Sequence, residues 1–169
     1  MRVWVPAELS FAKHVAHHAG RIMEHDHETP KIDLTFDVEL IRVLQTPRTP
    51  TDLRTPPRTA YRTPSGVLIQ ILKPGTGSSH PTMDSRVKVN YTGWTLDGKV
   101  FESTMMSEHP ATFLLGTALP GWREALPHMV PGEKARLWIP AAMAYGDHPA
   151  NPLLPMGLLV FDMEVLEFQ

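Results

Sequence analysis

An α+β fold, a curved antiparallel sheet wrapped on one short helix, is what residues 65–169 predict, and three observations carry it. Short runs rich in apolar and β-branched side chains recur at 67–72, 86–91, 99–102, 112–115, 135–139 and 158–168. Turn residues separate them, at Pro74-Gly75-Thr76-Gly77 and at Asp97-Gly98, the second a strong hairpin signal between Trp94 and Phe101. Between the fourth and fifth runs the period changes: Trp122, Ala125, Leu126 and Met129 stand at i, i+3, i+4 and i+7, one apolar face of a helix.

Each element has its own signature. Val87, Val89 and Tyr91 alternate, as do Leu159, Phe161, Met163 and Val165, which marks antiparallel strands with one face buried. Pro120 and Gly121 open the helix, because proline's missing N–H would be unpaired in the first turn anyway. Pro127 lies late in the same stretch, which predicts that the helix ends near Leu126. Pro131-Gly132 turns the chain into a strand with Ala135, Leu137 and Ile139 on one face and Lys134, Arg136 and Trp138 on the other.

The chain also repeats part of itself. Arg2-Val-Trp-Val-Pro-Ala-Glu-Leu-Ser-Phe matches Arg136-Leu-Trp-Ile-Pro-Ala-Ala-Met-Ala-Tyr with four identities in ten, and Leu34-Thr-Phe-Asp-Val-Glu-Leu matches Leu159-Val-Phe-Asp-Met-Glu-Val with four in seven. The offset falls from 134 to 125 between the two matches, so the intervening loop is nine residues longer in the first copy. Nothing before Arg2 corresponds to 87–130, so residues 1–45 read as an incomplete N-terminal repeat, either a piece of a longer tandem protein or an interaction arm. Its loop holds His14, His17, His18, His25 and His27 beside Glu24, Asp26 and Glu28; imidazoles at that density can bind Ni(II), Cu(II) or Zn(II), and a solvated loop is the other reading. Residues 46–64, with five prolines among Thr and Arg, read as a linker and passive spacer, up to about 60 Å if extended as polyproline II. The expected division is thus 1–45, 46–64 and a domain at 65–169.

Composition narrows the function. A net charge of −2 offers no basic stripe for nucleic acid, and the absence of cysteine removes thiolate nucleophiles, thiolate metal sites and disulfides. No apolar run approaches the ~18 residues of a membrane span, and the N-terminus lacks an export signal, so the chain as written reads as soluble, with its compartment open. There is no Gly-rich phosphate loop and no Gly-x-Ser-x-Gly turn. What the domain concentrates is aromatic: Tyr91, Phe101, Phe113, Trp122, Tyr145 and Phe161.

Six motifs in order, Val89-Asn-Tyr-Thr-Gly-Trp, Asp97-Gly-Lys-Val-Phe-Glu-Ser, Pro120-Gly-Trp, Gly132-Glu-Lys, Ile139-Pro-Ala-Ala-Met-Ala-Tyr-Gly and Leu159-Val-Phe-Asp, resemble the FKBP-type peptidyl-prolyl cis-trans isomerases over residues 65–169. The resemblance implies an FKBP-like sheet of five or six strands around the helix, and a peptidyl-prolyl isomerase or, alternatively, a non-catalytic proline-binding or chaperone module. It places Trp122 beneath the prolyl ring, Tyr91, Phe101, Phe113 and Phe161 as walls, and Ala118, Leu119 and Leu154 at the rim. The Leu119 N–H and the Tyr145 hydroxyl would meet substrate carbonyls. Implied partners are proline-containing unfolded or flexible segments and macrolide FKBP ligands; no metal or cofactor is implied. Glu102 stands where the family usually has Asp beside the tyrosine at Tyr91, and Ala111 where some members have another aromatic.

Overall fold

The computed structural model describes residues 2–5, 34–37 and 47–169. It divides into two compact units, 1–43 and 44–169. In the first unit β1 (Arg2–Val5) pairs antiparallel with β2 (Leu34–Asp37). The histidine-rich loop, read either as able to bind a metal or as a solvated loop, lies outside the described residues, among which no group of three or more His, Cys, Asp or Glu could hold an ion. No helix among them is long and apolar enough to cross a membrane.

The second unit is a sheet of seven antiparallel strands, where the resemblance implied five or six. The strands are β3 (Tyr61–Arg62), β4 (Leu68–Lys73), β5 (Arg86–Thr95), β6 (Val100–Ser103), β7 (Ala111–Leu114), β8 (Lys134–Ile139) and β9 (Leu159–Phe168). Their order is β3-β4-β8-β9-β5-β6, with β7 also on β5. β5 runs four residues past the expected end at Tyr91. Its first half, from Arg86 to Val89, pairs with β7, and Thr92 to Trp94 pair with β6. This split lets one long strand carry two short neighbours along one edge.

Two short helices complete the unit. α1 (Thr104–Ser107), which no periodicity announced, follows β6 and is capped by the Ser103 hydroxyl accepting from Met105 N at 3.2 Å. α2 (Pro120–Ala125) starts at Pro120 as expected and yields to a 3-10 turn at Leu126–His128, because Pro127 has no N–H to continue the ladder. Ala125, Leu126 and Met129 are nevertheless fully buried, so the helical period reported the core face correctly even where the helix stops. They join Val87, Val89, Leu137, Ile139, Leu159, Met163 and Val165 on the inner face of the sheet.

The outer face is where the structure departs from the sequence expectation. Residues 47–64 are not an extended spacer: Leu53, 5% exposed, packs with Trp94, Trp138 and Val160 in a second apolar cluster. Trp138 Nε1 donates to the Leu53 carbonyl at 3.0 Å, and Arg136 pairs with Asp52. Thr63 accepts the Val67 N–H at 3.1 Å through its hydroxyl, which turns the segment into the sheet. Proline content sets the stiffness of this segment, but one leucine and one aspartate meeting a tryptophan and an arginine decide its placement.

Candidate proline-binding site

Four of the six aromatic side chains are drawn together by strands that approach the same end of α2. Trp122, in the first turn of α2, lies 4.9 Å from Tyr91, 5.3 Å from Phe113 and 5.2 Å from Phe161 between ring centroids. Phe101 meets Phe161 edge-on at 5.5 Å and 87°. Tyr91 comes from the middle of β5, Phe101 from β6, Phe113 from β7 and Phe161 from β9, so adjacent strands each contribute one ring. Phe161 is 1% exposed and Tyr91 9%, whereas Trp122, Phe101, Phe113 and Tyr145 keep part of their surface open. Edge-to-face contacts of this kind add roughly 0.5–1.5 kcal/mol each beyond area burial, so they hold the rings in place as well as hiding them.

Two glycines make the arrangement possible. A Cβ on Gly93 would stand 2.5 Å from Phe101 Cζ and 2.8 Å from Phe161 Cε1, so Tyr-Thr-Gly-Trp needs glycine to let the two rings cross β5. A Cβ on Gly121 would stand 2.4 Å from Ile139 Cγ2, so glycine before Trp122 lets α2 settle against β8. Neither role was read from the sequence, although both glycines lie inside quoted motifs.

Ala118, Leu119 and Tyr145 pack against the core cluster, together with Met143 and Ala144, which were not foreseen. The Leu119 carbonyl opens α2 by accepting from Trp122 at 2.8 Å and Arg123 at 3.0 Å. Tyr145 is set by the turn after β8, where Ala144 and Gly146 both donate to the Ala141 carbonyl. Leu154 is not among the side chains packed on the cluster; it closes a turn through its N–H to Asn151 O at 3.1 Å. A cleft of about 690 Å³ is lined by Arg48, Asn90, Thr92 and Asp162 among others and also by Tyr91, so it shares that residue with the aromatic group.

Glu102, with its extra methylene, still acts on the Tyr91 phenol. Burial first, and then the hydrogen bond from its hydroxyl to Glu102, push the Tyr91 phenol well above its ordinary range. Tyr145 is raised too, by burial and then by the charge on Glu102. Unfolded phenols ionise near ~10. A raised folded value means that the fold retains protons the unfolded chain has released, so this contribution is intact below about pH 10 and is lost as pH rises beyond it. Urea midpoints should therefore be level from about pH 8 to 10 and fall above it, with Tyr91→Phe reducing the fall. A midpoint that rises through that range would contradict the buried, Glu102-bonded phenol.

Comparison with known proteins agrees with this architecture. Residues 77–166 match the family model described as FKBP-type peptidyl-prolyl cis-trans isomerase. The chain is 40% identical over 107 residues to the FKBP-type peptidyl-prolyl cis-trans isomerase FkpA of Aeromonas hydrophila, covering 63% of this chain and 40% of that one. It is 41% identical over 106 residues to the FKBP-type 22 kDa peptidyl-prolyl cis-trans isomerase of Escherichia coli K12, covering 62% and 51%. A crystal structure of a peptidyl-prolyl cis-trans isomerase from Pseudomonas syringae superposes with a TM-score of 0.60 at 35% identity, covering 67% of this chain and 83% of that one. The chain spans about half the length of the curated relatives it matches. With the family model spanning more than half of its residues, the chain belongs to the FKBP-type peptidyl-prolyl cis-trans isomerase family.

Proposed function

We propose that the chain is a peptidyl-prolyl cis-trans isomerase acting on Xaa-Pro bonds in unfolded or flexible protein segments, and that the ring cluster around Trp122 is its site. The observation that carries this reading is the convergence of Tyr91, Phe113 and Phe161 on an indole that remains partly open, with Glu102 and two phenols as the polar groups nearby. Rotation about an amide breaks no bond; it forfeits resonance across a barrier of ~18–20 kcal/mol. As the amide twists, charge separation between oxygen and nitrogen falls, so apolar walls favour the twisted state over the planar one. The prolyl ring would lie on Trp122, between Phe101, Phe113 and Phe161. The Leu119 N–H takes no part in the opening bonds of α2, which leaves it for a substrate carbonyl, and the Tyr145 hydroxyl is kept protonated for the carbonyl of the prolyl amide.

Each 1.36 kcal/mol of preference for the twisted state is tenfold in rate, while uncatalysed exchange takes tens to hundreds of seconds. A protease-coupled assay on peptides with Leu or Phe before Pro should register acceleration, and macrolide FKBP ligands should suppress it. Tyr91→Phe should reduce kcat/KM by only about fivefold or less, because it removes one hydrogen bond of ~1 kcal/mol and spares the apolar wall. Rates equal to buffer at micromolar enzyme would end the catalytic reading.

A second reading, a module that holds proline segments without turnover, is favoured by apolar side chains left in solvent. Met105, Met106, Leu153 and Met156 are 54%, 47%, 90% and 64% exposed, and methionine adapts to varied partners. Retained peptide binding by an inactive protein would select it.

A further inference from the structure

The ladder of the first unit duplicates that of the second, residue for residue. Arg2 lies opposite Asp37, Val3 opposite Phe36, Trp4 opposite Thr35 and Val5 opposite Leu34. In the second unit Arg136 lies opposite Asp162, Leu137 opposite Phe161, Trp138 opposite Val160 and Ile139 opposite Leu159. The two sequence matches fall at different offsets, 134 and 125, so matching the segments did not dictate this pairing. A slip of one residue would have moved every side chain to the opposite face. The flanking ion pair is also copied. Arg2 reaches Asp37 through Nε at 2.7 Å and Nη2 at 3.1 Å, and Arg136 reaches Asp162 through Nε at 2.6 Å and Nη2 at 2.9 Å.

What differs is the surroundings. The Arg136 and Asp162 side chains are 12% and 14% exposed, whereas those of Arg2 and Asp37 are each 72% exposed. β8 is hydrogen-bonded to β4 on its far side and β9 to β5; among the described residues β1 and β2 pair only with each other. A two-stranded ribbon is marginal in water, and its outer edges offer rows of unpaired N–H and C=O groups. We propose that the β1–β2 ribbon is the closing hairpin of a second FKBP-type sheet, and that its two edges accept the strands of an FKBP-type segment equivalent to residues 61–133. The outer edge of β1 is the position of β4, and that of β2 the position of β5. Residues 6–33 and 38–60 carry neither a Pro-Gly-Trp nor a Tyr-Thr-Gly-Trp motif, so that segment is not supplied by them. Val3, Val5, Leu34 and Phe36 correspond in sequence to Leu137, Ile139, Leu159 and Phe161, so the occupant is one that brings an apolar helix as well as strands. The inference rests on strand register and family membership, and stands whether or not the Trp122 site is catalytic.

The test adds an isotope-labelled polypeptide of residues 61–133 of this sequence to the full-length protein. A one-to-one complex is expected by native mass spectrometry, with amide protection gained at residues 2–5 and 34–37. Arg2→Glu should weaken it by at least about tenfold, and Arg2→Glu combined with Asp37→Arg should restore it, since the pair recovers its charge complementarity. Three results would overturn the proposal: no complex, a complex equally strong with Phe36→Asp and Arg2→Glu, or equal protection by an unrelated strand-forming peptide. The second would place binding on the second unit, and the third would make the ribbon a general strand acceptor.

Discussion

Phe161→Ala is expected to abolish most isomerase activity, lowering kcat/KM by about a hundredfold, which corresponds to roughly 2.7 kcal/mol of lost preference for the twisted amide. Phe161 touches three of the rings: it meets Trp122 at 5.2 Å, Phe101 at 5.5 Å and Tyr91 at 6.4 Å, and is itself 1% exposed. Its removal opens the wall to water and leaves Trp122 and Phe101 without the edge that orients them. The same change should cost about 3–5 kcal/mol of stability, because a buried phenyl leaves a cavity that packed neighbours only partly refill. Activity must therefore be read on protein shown to be folded by near-ultraviolet circular dichroism. Phe161→Leu separates the effects, since it keeps apolar volume and loses the flat ring, and it should fall between wild type and Phe161→Ala in both respects. A folded Phe161→Ala protein with activity within about threefold of wild type would remove the aromatic wall from the mechanism, because a gap that small is under 1 kcal/mol. Greater damage from Tyr91→Phe would indicate that the Tyr91–Glu102 hydrogen bond outweighs the apolar surface.

The legible part of this protein is the part written in periodicity. Val87, Val89 and Tyr91 alternate because one face of β5 meets the core, and Trp122 to Met129 keep a period near 3.6 because α2 and the turn after it cover that face. The ring cluster was legible through the family resemblance, which placed Tyr91, Phe101, Phe113 and Phe161 around Trp122; the residues alone read as core. What was hidden has no period. α1 is one turn long, set by a Ser103 cap and closed by Glu108 in a left-handed conformation, and β3 has two residues. Gly93 and Gly121 act by the absence of a side chain against Phe101, Phe161 and Ile139, which becomes visible only when those partners have positions. The strap at residues 47–64 was hidden most completely. Trp138 alternates with Lys134 and Arg136, a face whose partner has no signature in the sequence, and the strap meets it through Leu53 and Asp52.

Leu53 should accordingly be a major stability determinant of the second unit despite lying in a segment that looks like a spacer. Leu53→Ala is expected to cost about 2–5 kcal/mol and to lower the Tm by roughly 10 °C, since the side chain fills the space between Trp94, Trp138 and Val160. Removing the whole strap should cost more. It strips the cover from Trp138, which is 1% exposed, returns apolar surface of Trp94, Trp138 and Val160 to water, and exchanges the indole hydrogen bond to the Leu53 carbonyl for one to solvent. Arg136 suffers less, because it retains both hydrogen bonds to Asp162 when Asp52 is gone. The comparison that isolates the strap is between protein lacking residues 1–46 and protein lacking residues 1–62, by calorimetry and by isomerase assay. The shorter protein should melt well below the longer one, while the two keep similar activity at temperatures where both are folded, because the strap lies on the face of the sheet opposite Trp122. Equal melting temperatures would mean that residues 47–62 contribute nothing to the fold and that the extended-spacer reading was right. A large loss of activity in the folded shorter protein would mean that the two faces of the sheet are coupled through β8 and β9.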